Sequence, residues 1–175
     1  MVKSAADESF NCISVDGDTS TNDTLLVLAN GAAGAPEVTE NEGYELFYEA
    51  LLTVCTHLAR EMARDGEGAT KLVVCEVSGG ETREQCVRLA KSVIESNLVK
   101  AAMFGADANW GRVLCALGYA GVAVDVEKID VSFASSAGEV PVCAGGYGVD
   151  FSEEEAKRVL SEGEITIRVA LHAGA

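Results

Sequence analysis

Between Cys12 and Gly31 the chain reads CISVDGDTSTNDTLLVLANG, with acids, hydroxyls and amides set between two apolar runs. Asp16 and Asp18 are spaced like the paired carboxylates of a Mg²⁺-dependent, aspartate-nucleophile phosphotransferase at the end of a strand. One carboxylate would attack phosphorus, the other would handle the leaving-group proton, and the metal would bridge them. That chemistry also calls for a lysine, a hydroxyl residue and a second acidic pair. Ser20 stands where a Thr or Val is usual, and the later acids in VDVEKIDV alternate as a strand would. The competing reading is a turn, because Asp, Ser, Thr and Asn side chains bond nearby backbone groups without help. Residues 16–24 stand between these two readings.

The other reactive types are scattered. Cys12, Cys55, Cys75, Cys86, Cys115 and Cys143 are never closer than eleven positions, so there is no CxxC and no zinc-finger spacing. Each lies among apolar neighbours, as in KLVVCEV, and reads as a small buried hydrophobe in a reducing compartment. A catalytic cysteine would need His57, inside a helical pattern, or His172, near the last residue. No metal centre is expected.

The elements that must hold these residues follow from periodicity. Residues 13–16 and 25–28 read as two strands joined by the polar stretch. Residues 41–64 carry Phe47, Leu51, Val54, Leu58 and Met62 at spacings of three and four, which predicts a long amphipathic helix with that stripe buried. The glycines of RDGEGATK stop it. KLVVCEVSGG reads as a strand with a Gly-Gly stop. A helix follows from about Thr82, with Cys86, Leu89, Ala90, Val93, Ile94, Asn97 and Leu98 as its inner stripe. NWGRVLCALGYAG suits a further short helix, with Asp107 as its cap, Trp110 packing and Arg112 in an ion pair. Residues 128–133, 140–143 and 164–171 alternate as strands, and Ser152 opens a helix over EEEAKRVL. The order predicts an α/β (α+β layered) fold, mixed sheets covered by helices, with a division near residues 68–70.

Composition narrows the function. The 175 residues include 28 acidic and 13 basic side chains, a formal net charge of −15. A field of that sign repels phosphate backbones and anionic lipid, so neither nucleic acid nor membrane is an expected partner. The apolar runs are short and broken by Gly, and the start MVKSAADESF has no apolar secretory core. A cytoplasmic location is expected.

Three long stretches, SFNCISVDGDTSTNDTLLVLANG, RDGEGATKLVVCEVSGG and SNLVKAAMFGADANWGRVLCALGYAG, carry a resemblance. In this order they resemble the hallmark segments of the ornithine acetyltransferase family of arginine biosynthesis, the bifunctional glutamate N-acetyltransferases. The match runs from about Ser9 to Val122 and more loosely to Leu171. The resemblance implies a precursor that cleaves itself before a threonine, whose hydroxyl then attacks. The threonine's own α-amino group, with a pKa of about 8, takes the proton. Acetyl passes from N-acetylornithine to the threonine and then to glutamate by a ping-pong route, through an oxyanion stabilised by donors of the first fragment, the α chain. No resident cofactor is implied, and acetyl-CoA stays open as a co-substrate.

The resemblance is to the second fragment, the β chain, with an α2β2 heterotetramer as the implied assembly. Residues 1–70 would form part of an αββα-like catalytic domain shared with the α chain, and residues 71–175 a C-terminal α+β domain. Eight residues precede Ser9, none of them Thr, and the sequence stops at Ala175 where the family continues into a substrate-touching tail. The expectation is therefore a β-chain core whose nucleophile and closing tail lie elsewhere, inactive and prone to self-association by itself. One substrate-contacting position carries over, Glu67 in DGEGATK, whose carboxylate would pair with an ammonium group of ornithine. Arg112 is a minor candidate for a substrate carboxylate. Under the resemblance the stretch 16–24 is a satisfied turn lining the site from behind. A non-catalytic assembly module is the remaining alternative.

Overall fold

A computed structural model describes residues 1–18, 22–39 and 42–174. They fall into two compact units, Met1–Asp65 and Gly66–Ala175. Ser20 and Asn41, both used in the sequence reading, lie outside the described residues.

The first unit contains α1 (Val2–Asp7), a single 3-10 turn (Phe10–Cys12) and α2 (Glu42–Arg64). The helix expected from the three-and-four spacing is present, but rotated from its predicted facing. Cys55 and Ala59 are buried at 2% exposure, whereas Phe47, Val54, Leu58 and Met62 stand at 47–55%. The cause lies in the composition of α2, which is apolar on more than one side, so periodicity alone does not choose the inner one. Small side chains at Cys55 and Ala59 let α1, with its own buried Ala5, come close. The two strands expected at 13–16 and 25–28 do not form among the described residues. Their sequences suit strands, but a strand exists only when a neighbour completes its ladder, and Leu26 and Leu28 stand 70% and 84% exposed.

The second unit is a two-layer α/β arrangement. Its strands are β1 (Leu72–Ser78), β2 (Asp130–Ser135), β3 (Gly138–Ala144), β4 (Tyr147–Gly148) and β5 (Glu164–Ala170). They form one mixed sheet in the order β1-β5-β2-β3-β4. β5 runs parallel to β1 and antiparallel to β2. The helices are α3 (Arg83–Glu95), α4 (Asn97–Phe104), α5 (Trp110–Gly118) and α6 (Glu153–Leu160). Strand alternation sends Ile165, Ile167 and Val169 of β5 and Val131 and Phe133 of β2 to one face, where they join Leu89, Val93, Val113, Leu117, Val159 and Leu160 in one core. The other face is polar. There Arg168 bonds Glu76 at 3.1 Å and also Glu139, which accepts from Ser132 at 2.6 Å. A sheet built largely of antiparallel pairs tolerates one wet face, and this one is lined with polar cross-strand contacts.

Each helix start has a local cause. Thr82, Ser96, Asn109 and Ser152 all accept a backbone N–H of the first turn. Two expectations change here. The single helix predicted from Thr82 through Leu98 breaks at Ser96, whose extended backbone ends α3 while its hydroxyl caps α4. The cap of α5 is Asn109, not Asp107; Asp107 instead accepts from the Asn109 amide at 3.1 Å.

Asp130 ties the end of the sheet together. Its carboxylate accepts from Gly145 N at 2.8 Å and pairs with His172 Nε2 at 2.8 Å, and these contacts, Gly145 first, hold it below the usual carboxylate range. A depressed carboxylate pKa adds stability above the unfolded value of about 3.9 and loses it as pH falls through the folded value. Asp130→Asn is therefore expected to flatten the acid limb of stability below about pH 4. Urea unfolding over that range checks it, and an unchanged slope would count against the assignment.

Candidate functional site

Glu67 sits at the corner of a tight turn. Ala69 N donates to Gly66 O at 2.9 Å, and Gly68 at φ +72° supplies the left-handed residue that such a turn requires. The side chain is exposed, and among the described residues no hydrogen bond or ion pair engages its carboxylate. The turn thus presents this carboxylate outward, with no partner for it among the described residues.

The obvious neutraliser, Lys71, is occupied elsewhere. Its Nζ donates to Met103 O at 2.7 Å and to Leu160 O at 2.7 Å, in the last turns of α4 and α6. Helix C-termini carry a partial negative charge, and their carbonyl oxygens can accept a further bond, so one ammonium ties both ends. Magnitudes favour this choice. A charge-assisted bond contributes about 1.5–3 kcal/mol, whereas an exposed ion pair is worth about 0–1 kcal/mol. Burial lowers the Lys71 pKa from the usual lysine range. Sequence reasoning overlooked Lys71 because its acceptors lie 32 and 89 residues away, beyond the reach of any local pattern.

The other candidates fall into place individually. Asp16 Oδ1 accepts from Asp18 N at 2.8 Å, the bond expected of a self-satisfied turn. Among the described residues no cluster of three His, Cys, Asp or Glu is arranged to hold a metal. Trp110 packs where expected, so close to Gly148 that a Cβ there would come within 2.7 Å of the ring. Arg112 makes a backbone bond, Nη1 to Leu98 O at 2.9 Å, in place of the expected ion pair. This joins the first turn of α5 to α4, because an arginine fork suits a carbonyl as readily as a carboxylate.

All six cysteines are free, with Cys55 and Cys143 buried and Cys115 exposed, contrary to the expectation that every one is inside. Burial, with Glu76 beside it, pushes the Cys75 thiol up to about 12, which makes it inert. His172 is engaged with Asp130 and His57 is exposed on α2. A groove of about 660 Å³ runs along α3 and the end of α5, lined by Arg83, Arg88 and Lys91 against Glu84 and Glu95. Arg88 Nε is already engaged by Ala120 O, just beyond α5, at 2.9 Å, and Glu67 does not line this groove.

Comparison with known proteins adds the family. The chain matches the ArgJ family over residues 1–175. It belongs to that family. The ArgJ relatives include "Arginine biosynthesis bifunctional protein ArgJ 1" of Clostridium acetobutylicum, 48% identical over 174 residues, with 99% of this chain and 43% of the relative covered. The ArgJ protein of Symbiobacterium thermophilum is 50% identical over 174 residues, with 99% and 42% covered. The crystal structure of ArgJ from Bacillus halodurans superposes with a TM-score of 0.93 at 43% identity, covering 99% of this chain and 80% of that one. The chain thus spans less than half the length of these curated ArgJ relatives. The helix-covered mixed sheet read from the sequence is the arrangement found.

Proposed function

We propose that these residues are part of the β chain of an acetyltransferase of arginine biosynthesis. The enzyme moves acetyl from N-acetylornithine, with acetyl-CoA as an optional further donor, to glutamate by a ping-pong route. The attacking threonine comes from polypeptide outside these 175 residues, and Glu67 binds an ammonium group of ornithine. The observation that carries the reading is the match to ArgJ along the whole chain, at 48% identity to a protein named for bifunctional action in arginine biosynthesis. The Glu67 geometry supports the substrate assignment: an unneutralised carboxylate at an exposed corner suits a cationic amino acid.

A cleaved precursor explains a difference in coverage. The chain covers 80% of the crystallised Bacillus halodurans polypeptide but 43% of a curated relative, so the crystallised chain is about half as long. The exposed apolar side chains of the first unit support an α-chain partner, and the α2β2 assembly is what the family resemblance implies. The unit's strand-like segments lack ladders, and α2 shows apolar side chains to solvent, as half of a shared domain would. Residues 1–70 are then part of the shared catalytic domain and residues 71–175 the C-terminal domain. No described helix is long and apolar enough to cross a membrane, and the proposed location is cytoplasmic.

Two measurements test the proposal. Co-expression with an upstream half from a relative, followed by mass spectrometry, should reveal an acetylated threonine after exposure to N-acetylornithine; none would refute the ping-pong reading. In the full-length protein, Glu67→Ala is expected to raise KM for N-acetylornithine about tenfold, the scale of one lost charge contact. Unchanged kinetics would remove Glu67 from the site.

A further inference from the structure

We propose that Lys71 is the positioning residue of the Glu67 turn. By bonding the last turns of α4 and α6 together, it fixes where the turn ends and holds its own positive charge away from the Glu67 carboxylate. The inference rests on the reading of Glu67 as the ammonium-binding group, and it adds what keeps that group in place and available.

The turn has little stiffness of its own. Two of its four residues, Gly66 and Gly68, have no side chain to brace it, and its one internal backbone bond runs from Ala69 N to Gly66 O. The residues that follow add to its stiffness. There the chain is tied twice in succession, by Lys71 Nζ to Met103 O and Leu160 O, both at 2.7 Å, and by Leu72 N to Gly163 O at 2.9 Å. The second tie places the start of β1, and the first locks the residue before it against two helices.

Charge gives the arrangement a second consequence. A lysine four residues beyond a glutamate, across a turn with two glycines, has the reach to fold back on it. Such an internal pair would compete with any cationic ligand for the same carboxylate. With two carbonyl acceptors holding Nζ, that competition is removed, and Glu67 is exposed with no partner among the described residues. A ligand ammonium therefore meets a carboxylate that needs no prior ion pair broken, the form of preorganisation that favours binding over turnover.

The test is steady-state acetyl transfer by the full-length protein, with Lys71→Met, Lys71→Arg, Glu67→Ala and the Lys71→Met/Glu67→Ala double variant. Lys71→Met is expected to raise KM for N-acetylornithine about tenfold and to change kcat less than about twofold. Lys71→Arg, which still donates to two carbonyls, is expected to recover most of the loss. The double variant should be no worse in KM than Glu67→Ala alone, because Lys71 acts through that carboxylate. If Glu67→Ala raises KM while Lys71→Met only lowers the unfolding temperature, Lys71 is a structural clasp and the inference fails with the Glu67 reading intact. If Glu67→Ala leaves KM unchanged, the Glu67 reading fails and takes this inference with it. Should Lys71→Met not fold, Lys71→Gln keeps an amide donor pair and is judged by the same KM-to-kcat split.

Discussion

Gly146→Ala is expected to cost about 3 kcal/mol or more of stability, the combined scale of a left-handed residue and a backbone collision. Gly145 and Gly146, at φ +56° and +79°, form the two-residue turn between β3 and β4. A Cβ on Gly146 would lie 2.1 Å from Val126 O and 3.0 Å from Val126 C. Those atoms belong to the 3-10 turn Val126–Lys128, which cannot swing aside as a side chain would. The turn is also held in place, since Gly146 N donates to Ile129 O at 2.8 Å. Moving the obstacle therefore breaks a bond that defines the start of β2. Urea unfolding of the 175-residue chain measures the loss. Gly163→Ala, with open space at its Cβ, is the comparison. Equal losses at the two positions would show that the collision is relieved at no cost.

Phe133→Ala is expected to remove about 3–5 kcal/mol, the range for truncating a fully enclosed aromatic. Phe133 is 0% exposed and sits on β2 between Ile167 of β5 and Val140 of β3. Neither neighbour can collapse into the space, because both are fixed in register by strand ladders. Against a typical domain stability of about 5–15 kcal/mol, such a loss leaves the unit marginal. Phe133→Leu, which keeps most of the volume, is expected to cost under about 1.5 kcal/mol. Similar losses for both variants would mean that shape at this position matters more than the cavity.

The contrast between what the sequence disclosed and what it concealed has a physical basis. Helices α3 and α6 are legible because their signals are local, a capping hydroxyl and then apolar residues one turn apart, whereas α5 shows its apolar spacing but hides its cap, since the neighbouring Asp107 offers an equally good one. The strands at 140–143 and 164–171 were legible because one face is buried, which forces alternation. Ser96 misled because the apolar spacing runs through it, and only its own hydroxyl marks the break. The facing of α2 was hidden because the helix has more than one apolar side. Segments 13–16 and 25–28 have strand composition, but pairing depends on residues far off in the chain or outside it. The site divides in the same manner. Glu67 could be picked out only through family likeness, since an exposed glutamate in a glycine-rich turn has no distinguishing pattern. Lys71 had no signal, because a lysine ahead of a strand normally points to water.

The parallel pairing of β1 with β5 sets a timetable for biosynthesis. Val73 lies beside Ile165 in the sheet, so one of the unit's first residues must wait for one of its last before its ladder forms. During translation β1 emerges from the ribosome long before its neighbour exists, and the place between β1 and β2 stays vacant until β5 is made. Such distant closure raises contact order and slows folding, leaving an apolar strand open to wrong partners meanwhile.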